Sequence, residues 1–231
     1  MVDVGETKIS RKFVGALLWD DDRKLASFQY SQEFINEGWD LSPLKMPITD
    51  GSRIFSFPEL RKGKQTQQDT FKGLLGLLAD ALPDKYGNNL INTWLAQNGR
   101  PADSMNPVEK LCFIGTRGMG ALEFEPAQVK SGRRSFTLEV SGSVNIARKI
   151  SVSRSSFKSE LNAEENQELK NLLKIGISAG GRRPKAIIAY NKVTQEIRSG
   201  EAQVPKGFEH WLLKLDGVSG EQFGESNNGG K

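Results

Sequence analysis

Cysteine and histidine are almost missing from this sequence: Cys112 and His210 are the only ones in 231 residues. A single cysteine excludes a disulfide within the chain and a cysteine-built zinc site. A single histidine excludes a two-histidine metal site and leaves few hydrolase triads to consider. Long apolar runs are missing as well. The most apolar stretch, Gly73–Leu82, falls far short of the ~20 residues that a membrane span needs. The first residues, Met1 to Lys12, carry charges and no apolar stretch, so no secretory signal is visible. A large charge excess is also lacking. The 32 basic and 28 acidic residues leave +4, too little to argue for a nucleic-acid partner without a local basic stripe. These absences point to a reduced, soluble, cytoplasmic protein with no membrane partner. What is present is ordinary: 37% hydrophobic and 26% charged residues exclude wholesale disorder. The length leaves room for one large or two small domains.

The N-terminal half reads as a hairpin followed by helices. Val14 to Trp19 is an apolar run, Asp20 to Asp22 suits a turn, and Leu25, Phe28 and Tyr30 continue as a second strand. Leu41–Pro47 holds two prolines, which push its backbone towards extended geometry. Asp69–Leu82 is predicted as a helix, with Asp69 as N-cap and Phe71, Leu74, Leu75 and Leu78 on one face. Pro83 closes it and Asp84 caps the next helix, where Tyr86, Leu90, Ile91, Trp94 and Leu95 recur at helical spacing up to Gly99. A third helix starts at Asn106, with Pro107 at its first position and Glu109 placed for a capping box. Ala121 to Phe124 is expected as a closing strand, and Pro126 marks a boundary.

Residues 127–160 change character. From Lys130 to Lys158 there are seven basic residues against one acidic, Glu139. An exposed linker fits this composition, with Ser135–Val140 and Val144–Ile146 as candidate strands. A helix follows from about Asn162 to Lys174, with Glu165 at its third position. Then come a glycine-rich basic segment, a strand over Ala186–Tyr190, a turn at Asn191–Thr194 and a strand over Glu209–Leu215. The tail from Glu221 to Lys231 is polar and glycine-rich.

The sharpest chemical feature is Ser178-Ala-Gly-Gly-Arg-Arg-Pro-Lys185. Gly180 and Gly181 lack β-carbons, so their amides can approach an anion closely and form a nest for phosphate oxygens. Arg182, Arg183 and Lys185 add positive charge. A plain β-turn with solvated basic residues explains the same string, and the glycine pair alone favours it. No Walker A string occurs. The order helix, glycines, strand is the reverse of a dinucleotide-binding fingerprint. What remains is a glycine loop, a hairpin and a strand bearing Lys214, the order of a protein-kinase N-lobe. Alternation places His210, Leu212, Lys214 and Asp216 on one face of that strand. An edge strand whose Lys214 reaches out to water is the competing explanation.

These segments, in this order, resemble the HipA toxins, the serine/threonine kinases of bacterial toxin–antitoxin pairs. Leu41–Pro47 is similar to the family's extended L-S-x-x-x-P segment, and Phe71–Asp84 to its F-x-x-L-L-P-D-type helix. Glu109–Gly115 with Gly120–Leu122 is similar to its helix and G-A-L element. Ser178–Lys185 resembles its S-x-x-G-x-x-x-K loop, and His210–Leu215 its strand ending in L-K. The resemblance spans roughly residues 13–216, and its specificity lies in the joint order.

The resemblance implies an α+β fold: a HipA-like N-terminal subdomain over 8–126, a basic linker or first strands over 127–160, and an incomplete kinase-like N-lobe with an antiparallel sheet over 161–231. It implies ATP and Mg2+ as cofactors of the complete kinase. Gly180, Gly181, Arg182, Arg183, Lys185 and Lys214 would meet the nucleotide phosphates. Ser178 matches a loop serine that the family autophosphorylates. The added charge, about −2, would repel ATP. A HipB-like helix-turn-helix antitoxin is the implied partner, with DNA reached only through it. A translation component such as an aminoacyl-tRNA synthetase is the implied substrate. The family's catalytic aspartate lies well beyond the strand lysine and close after a histidine, yet here the sequence ends 17 residues after Lys214. The expectation is therefore a kinase portion without its C-lobe, inactive alone, with 135–231 less stable than 8–126. Two other readings stay open. One is a non-catalytic, antidote-like or antitoxin-binding module. The other is a nucleic-acid binder through Lys130, Arg133, Arg134, Arg148, Lys149, Arg154 and Lys158, for which a solvated linker is the simpler account.

Overall fold

The computed structural model describes residues 11–61, 68–118, 120–126, 145–147, 149–150, 161–175, 185–200 and 204–214. The fold is α+β with small antiparallel sheets. Two compact units are distinguished, Met1–Asp80 and Ala81–Lys231.

The first unit is organised by the expected hairpin. Strands β1 (Gly15–Asp20) and β2 (Leu25–Tyr30) pair antiparallel over their full length, from Gly15 opposite Tyr30 to Asp20 opposite Leu25. The turn closes because the Asp20 carboxylate accepts the Arg23 amide at 2.9 Å. The far edge of β2 is occupied too. Phe28 and Phe55 exchange backbone bonds of 2.9 and 2.8 Å, and the Ala26 amide donates to the Gly73 carbonyl at 2.8 Å. Helix α1 (Gln32–Glu37) starts where the Ser31 hydroxyl accepts the Phe34 amide, and it ends at left-handed Gly38. Tyr30 centres the core. Its ring packs on Phe28, Phe34 and Phe55, and its hydroxyl donates to the Met46 carbonyl at 3.0 Å.

Two expectations in this unit need correction. The helix predicted over Asp69–Leu82 is two short pieces, α2 (Gln68–Phe71) and α3 (Gly76–Ala79). Between them Lys72 and Gly73 take positive φ, 51° and 81°. The cause is backbone commitment elsewhere: besides meeting β2, Gly73 donates its amide to the Leu60 carbonyl at 2.8 Å. A β-carbon on Gly73 would sit 2.4 Å from the Lys24 carbonyl oxygen, so this close crossing requires glycine. Leu74, Leu75 and Leu78 are buried nonetheless. Leu41–Pro47 is not simply extended either, because the Met46 amide donates to the Ser42 carbonyl at 2.8 Å and closes a turn that buries Met46.

In the second unit the helix signals hold. Helix α4 (Lys85–Gln97) is capped by Asp84, whose carboxylate accepts the Gly87 amide at 2.7 Å, and it buries Tyr86, Leu90, Ile91 and Leu95. Helix α5 (Pro107–Ile114) opens with the full capping box between Asn106 and Glu109. Helix α6 (Ala163–Ile175) opens with the same device: Asn162 Oδ1 accepts the Glu165 amide at 2.8 Å, and Glu165 accepts the Asn162 amide at 3.1 Å. Its buried stripe is Leu169, Leu172, Leu173 and Ile175, and it packs on α4 and on strand β3 (Lys185–Tyr190). β3 is the centre of a three-stranded antiparallel sheet, between β4 (Ile197–Ser199) and β5 (Glu209–Lys214). The strand expected at Ala121–Phe124 does not form. The Phe124 amide donates to the Gly115 carbonyl at 3.1 Å, and no ladder extends it. Of the candidate strands in the basic stretch, Ser135–Val140 lies outside the described residues. Val144–Ile146 is corrected: residues 145–147 are helical, with Ile146 and Ala147 buried.

Candidate functional site

The antiparallel register of β3 and β5 decides where the predicted cations fall. Lys185, the first residue of β3, is the direct partner of Lys214, the last residue of β5. The backbone pairing thus brings these two positions together at one end of the β3–β5 ladder.

His210, Leu212 and Lys214 share one face of β5, and the pairing sets the residues beside them. Ile187 lies opposite Leu212, and Ala189 lies between His210 and Arg198. Within the three strands this face carries no acidic residue. Lys214 is exposed and makes no ion pair with any described residue. Arg198 is engaged, with its Nε 2.8 Å from Glu196 and its guanidinium 5.4 Å from the centre of the Phe208 ring. Glu209 and Trp211 belong to the opposite face. There Lys192 reaches Glu209 at 2.9 Å and lies 5.6 Å from the centre of the Trp211 ring. Trp211 and Leu212, on opposite faces, are 48% and 47% exposed, so β5 presents both sides to solvent.

Of the predicted site residues, the register thus makes Lys185 and Lys214 neighbours. Ser178, Gly180, Gly181, Arg182 and Arg183 lie outside the described residues, between the end of α6 and the start of β3. Among the described residues no group of three or more His, Cys, Asp or Glu side chains is placed to hold a metal ion, and no helix is long and apolar enough to cross a membrane. Of the proposed basic stripe, Lys149 is tied to Glu165. The bond from Lys149, and then the one from the Asn162 amide, hold the Glu165 carboxyl below the usual carboxylate range.

Sequence reading missed the buried cations. Lys110, on α5, donates to Asn88 at 2.8 Å and lies 3.7 Å from Asp103. Arg117 is only 2% exposed. Its guanidinium donates to the carbonyls of Phe113, Ile114 and Leu173, and lies 5.3 Å from the centre of the Phe113 ring. The available signal was position: a cation just beyond a helix C-terminus faces unsatisfied carbonyls and the negative end of the helix dipole. Tyr86 is the reverse case. Its buried hydroxyl has no hydrogen-bond partner among the described residues, and burial, with Asp84 adding to it, pushes its pKa well above the ordinary value.

A family model described as HipA N-terminal domain matches residues 6–125, just over half of the chain. The chain belongs to the HipA family. The match takes in the hairpin, the broken α2–α3 segment, α4 and the capped α5, and ends just before Pro126. The elements after that point, including β3 and β5, lie outside it. No curated protein and no solved structure shows significant similarity to the chain.

Proposed function

We propose that this HipA-family chain carries the nucleotide-phosphate end of a serine/threonine protein kinase of a toxin–antitoxin system. The observation that supports it most is the register that sets Lys185 directly opposite Lys214 at the end of the β3–β5 ladder. A cationic donor set of this kind fits a polyphosphate. Bound there, ATP with Mg2+ would supply the transferable phosphoryl group. The chain's own part is to hold the phosphates: amides of Gly180 and Gly181, charge from Arg182, Arg183, Lys185 and Lys214. Ser178 is the regulatory position, where added phosphate charge would repel nucleotide. On this reading the partner is a HipB-like antitoxin, the substrate is a translation protein such as an aminoacyl-tRNA synthetase, and the protein works in the cytoplasm.

The test is an NMR titration with Mg-ATP. Backbone amides of Ile187, Ile188 and Lys214 are expected to shift, and Lys214→Ala is expected to weaken binding about tenfold or more, the scale of one lost charge-assisted bond. Undisturbed amides on β3 and β5, or a Lys214→Ala variant that binds equally well, would overturn the proposal. The extent of the family match, confined to residues 6–125, supports a second reading as a non-catalytic interaction module. Recovery of this chain in a stable complex with a separate kinase chain, without any nucleotide response, would favour that module.

A further inference from the structure

Helix α6 ends at Ile175, and the chain re-enters described structure at Lys185. Two residues before that helix end, the Leu173 carbonyl accepts a hydrogen bond from Arg117 Nη1. The same guanidinium donates through Nη2 to the Phe113 carbonyl and through Nε to the Ile114 carbonyl at 3.1 Å, both in the last turn of α5. One cation therefore joins the C-terminal ends of two helices. The ends of α5 and α6 each concentrate partial negative charge on carbonyls that have no partner within their helix. Held together they would repel, and a buried guanidinium between them converts the repulsion into three charge-assisted bonds. Arginine suits the role because its planar fork addresses several acceptors at once, which an ammonium on a flexible stem does less well.

We propose that Arg117 is a positioning residue: it locks the end of α6, and with it the point from which the glycine segment departs towards Lys185. The inference deepens, and rests on, the nucleotide-site reading above. Arg117 touches no nucleotide in this account. It acts through the Leu173 carbonyl, and α6 in turn packs on β3.

The experiment compares Arg117→Gln, Arg117→Lys and Leu111→Ala in the full chain. Leu111 is fully buried on α5, so its truncation lowers stability without touching the carbonyl clamp. Amide hydrogen exchange is read at residues 172–175 and 185–188, at temperatures chosen to match the distance from each variant's Tm. Arg117→Gln is expected to speed exchange there by about tenfold or more, as befits loss of bonds to a charged group, with Arg117→Lys in between and Leu111→Ala near the parent. Equal exchange in Arg117→Gln and Leu111→Ala would overturn the clamp. If Arg117→Gln does not fold, Arg117→Lys against Leu111→Ala decides by the same readout. Mg-ATP affinity is the second arm. Where the parent binds, Arg117→Gln must bind more weakly than Leu111→Ala, and equal affinity overturns the positioning role. Where the parent shows no Mg-ATP response at Lys214, the nucleotide reading falls, while the exchange result still decides whether Arg117 locks α6.

Discussion

Strands β2 and β5 are both six residues long, and they occupy opposite extremes of environment. β2 buries Leu25, Ala26, Phe28 and Tyr30 and is flanked on both edges, by β1 and by Phe55 with Gly73. β5 buries none of its residues and, among the described residues, pairs along one edge only, with β3. The aromatic residues of β2 lock a core. Trp211 of β5 is half-exposed, and the strand's terminal lysine is exposed. On the function proposed above, stability and chemistry fall in different strands, and substitutions in the two should separate cleanly.

The largest expected effect tests the stability side. Phe28→Ala, which removes a buried ring packed on Tyr30, should cost about 3–5 kcal/mol in chemical denaturation. Trp211→Ala, of larger volume change but half-exposed, should cost well under that; an equal loss would erase the contrast. Next comes Gly73→Ala, at about 1–3 kcal/mol, since it places a side chain at φ 81° and against the Lys24 carbonyl beside β2. A smaller change should have the opposite sign. Lys214→Glu sets an opposite charge at the position paired with Lys185 and should stabilise by about 0.2–1 kcal/mol while abolishing the Mg-ATP response. A destabilised Lys214→Glu would mean that the two lysines do not face each other.

The smallest effect is a pH dependence at the start of α6. The Glu165 carboxyl is held below its ordinary range by Lys149 and by the Asn162 amide. A lowered folded-state pKa means that its contribution is fully present above about pH 4.5 and fades as pH falls through the depressed value. Denaturation of the parent and of Glu165→Gln at pH 6 and pH 3 should show a larger acid loss in the parent. Parallel losses would remove Glu165 from the acid limb.

Much of this division was legible in the sequence, wherever a local rule had no competitor. The Asp20–Asp22 turn, the Asp84 cap and the Asn106–Glu109 box formed as read because each is satisfied within a few residues. The helix over Asp69–Leu82 failed because its apolar spacing described burial correctly but not backbone bonding. Gly73 gives its amide and carbonyl to Leu60 and Ala26, partners that spacing does not reveal. Ala121–Phe124 looked like a strand, yet among the described residues it makes only the single backbone bond from Phe124 to Gly115 and no ladder. For the site, Lys214 and its strand were readable from alternation. Its partnership with Lys185 was not, because register between residues 29 positions apart depends on the β3–β4 turn and the return to β5. Arg117 escaped because a charged residue between glycines reads as solvent-facing, whereas two helix ends meet there.

The pairing of Lys185 with Lys214 also sets rules for insertions and deletions. Register fixes which positions meet, so one residue added inside β3 or β5 would break that pairing. The turn from Asn191 to Glu196, closed by the bond from the Asn191 amide to the Glu196 carbonyl at 3.0 Å, lies outside the β3–β5 ladder. Length variation among descendants of this sequence should therefore gather in that turn and spare the twelve positions of the two strands.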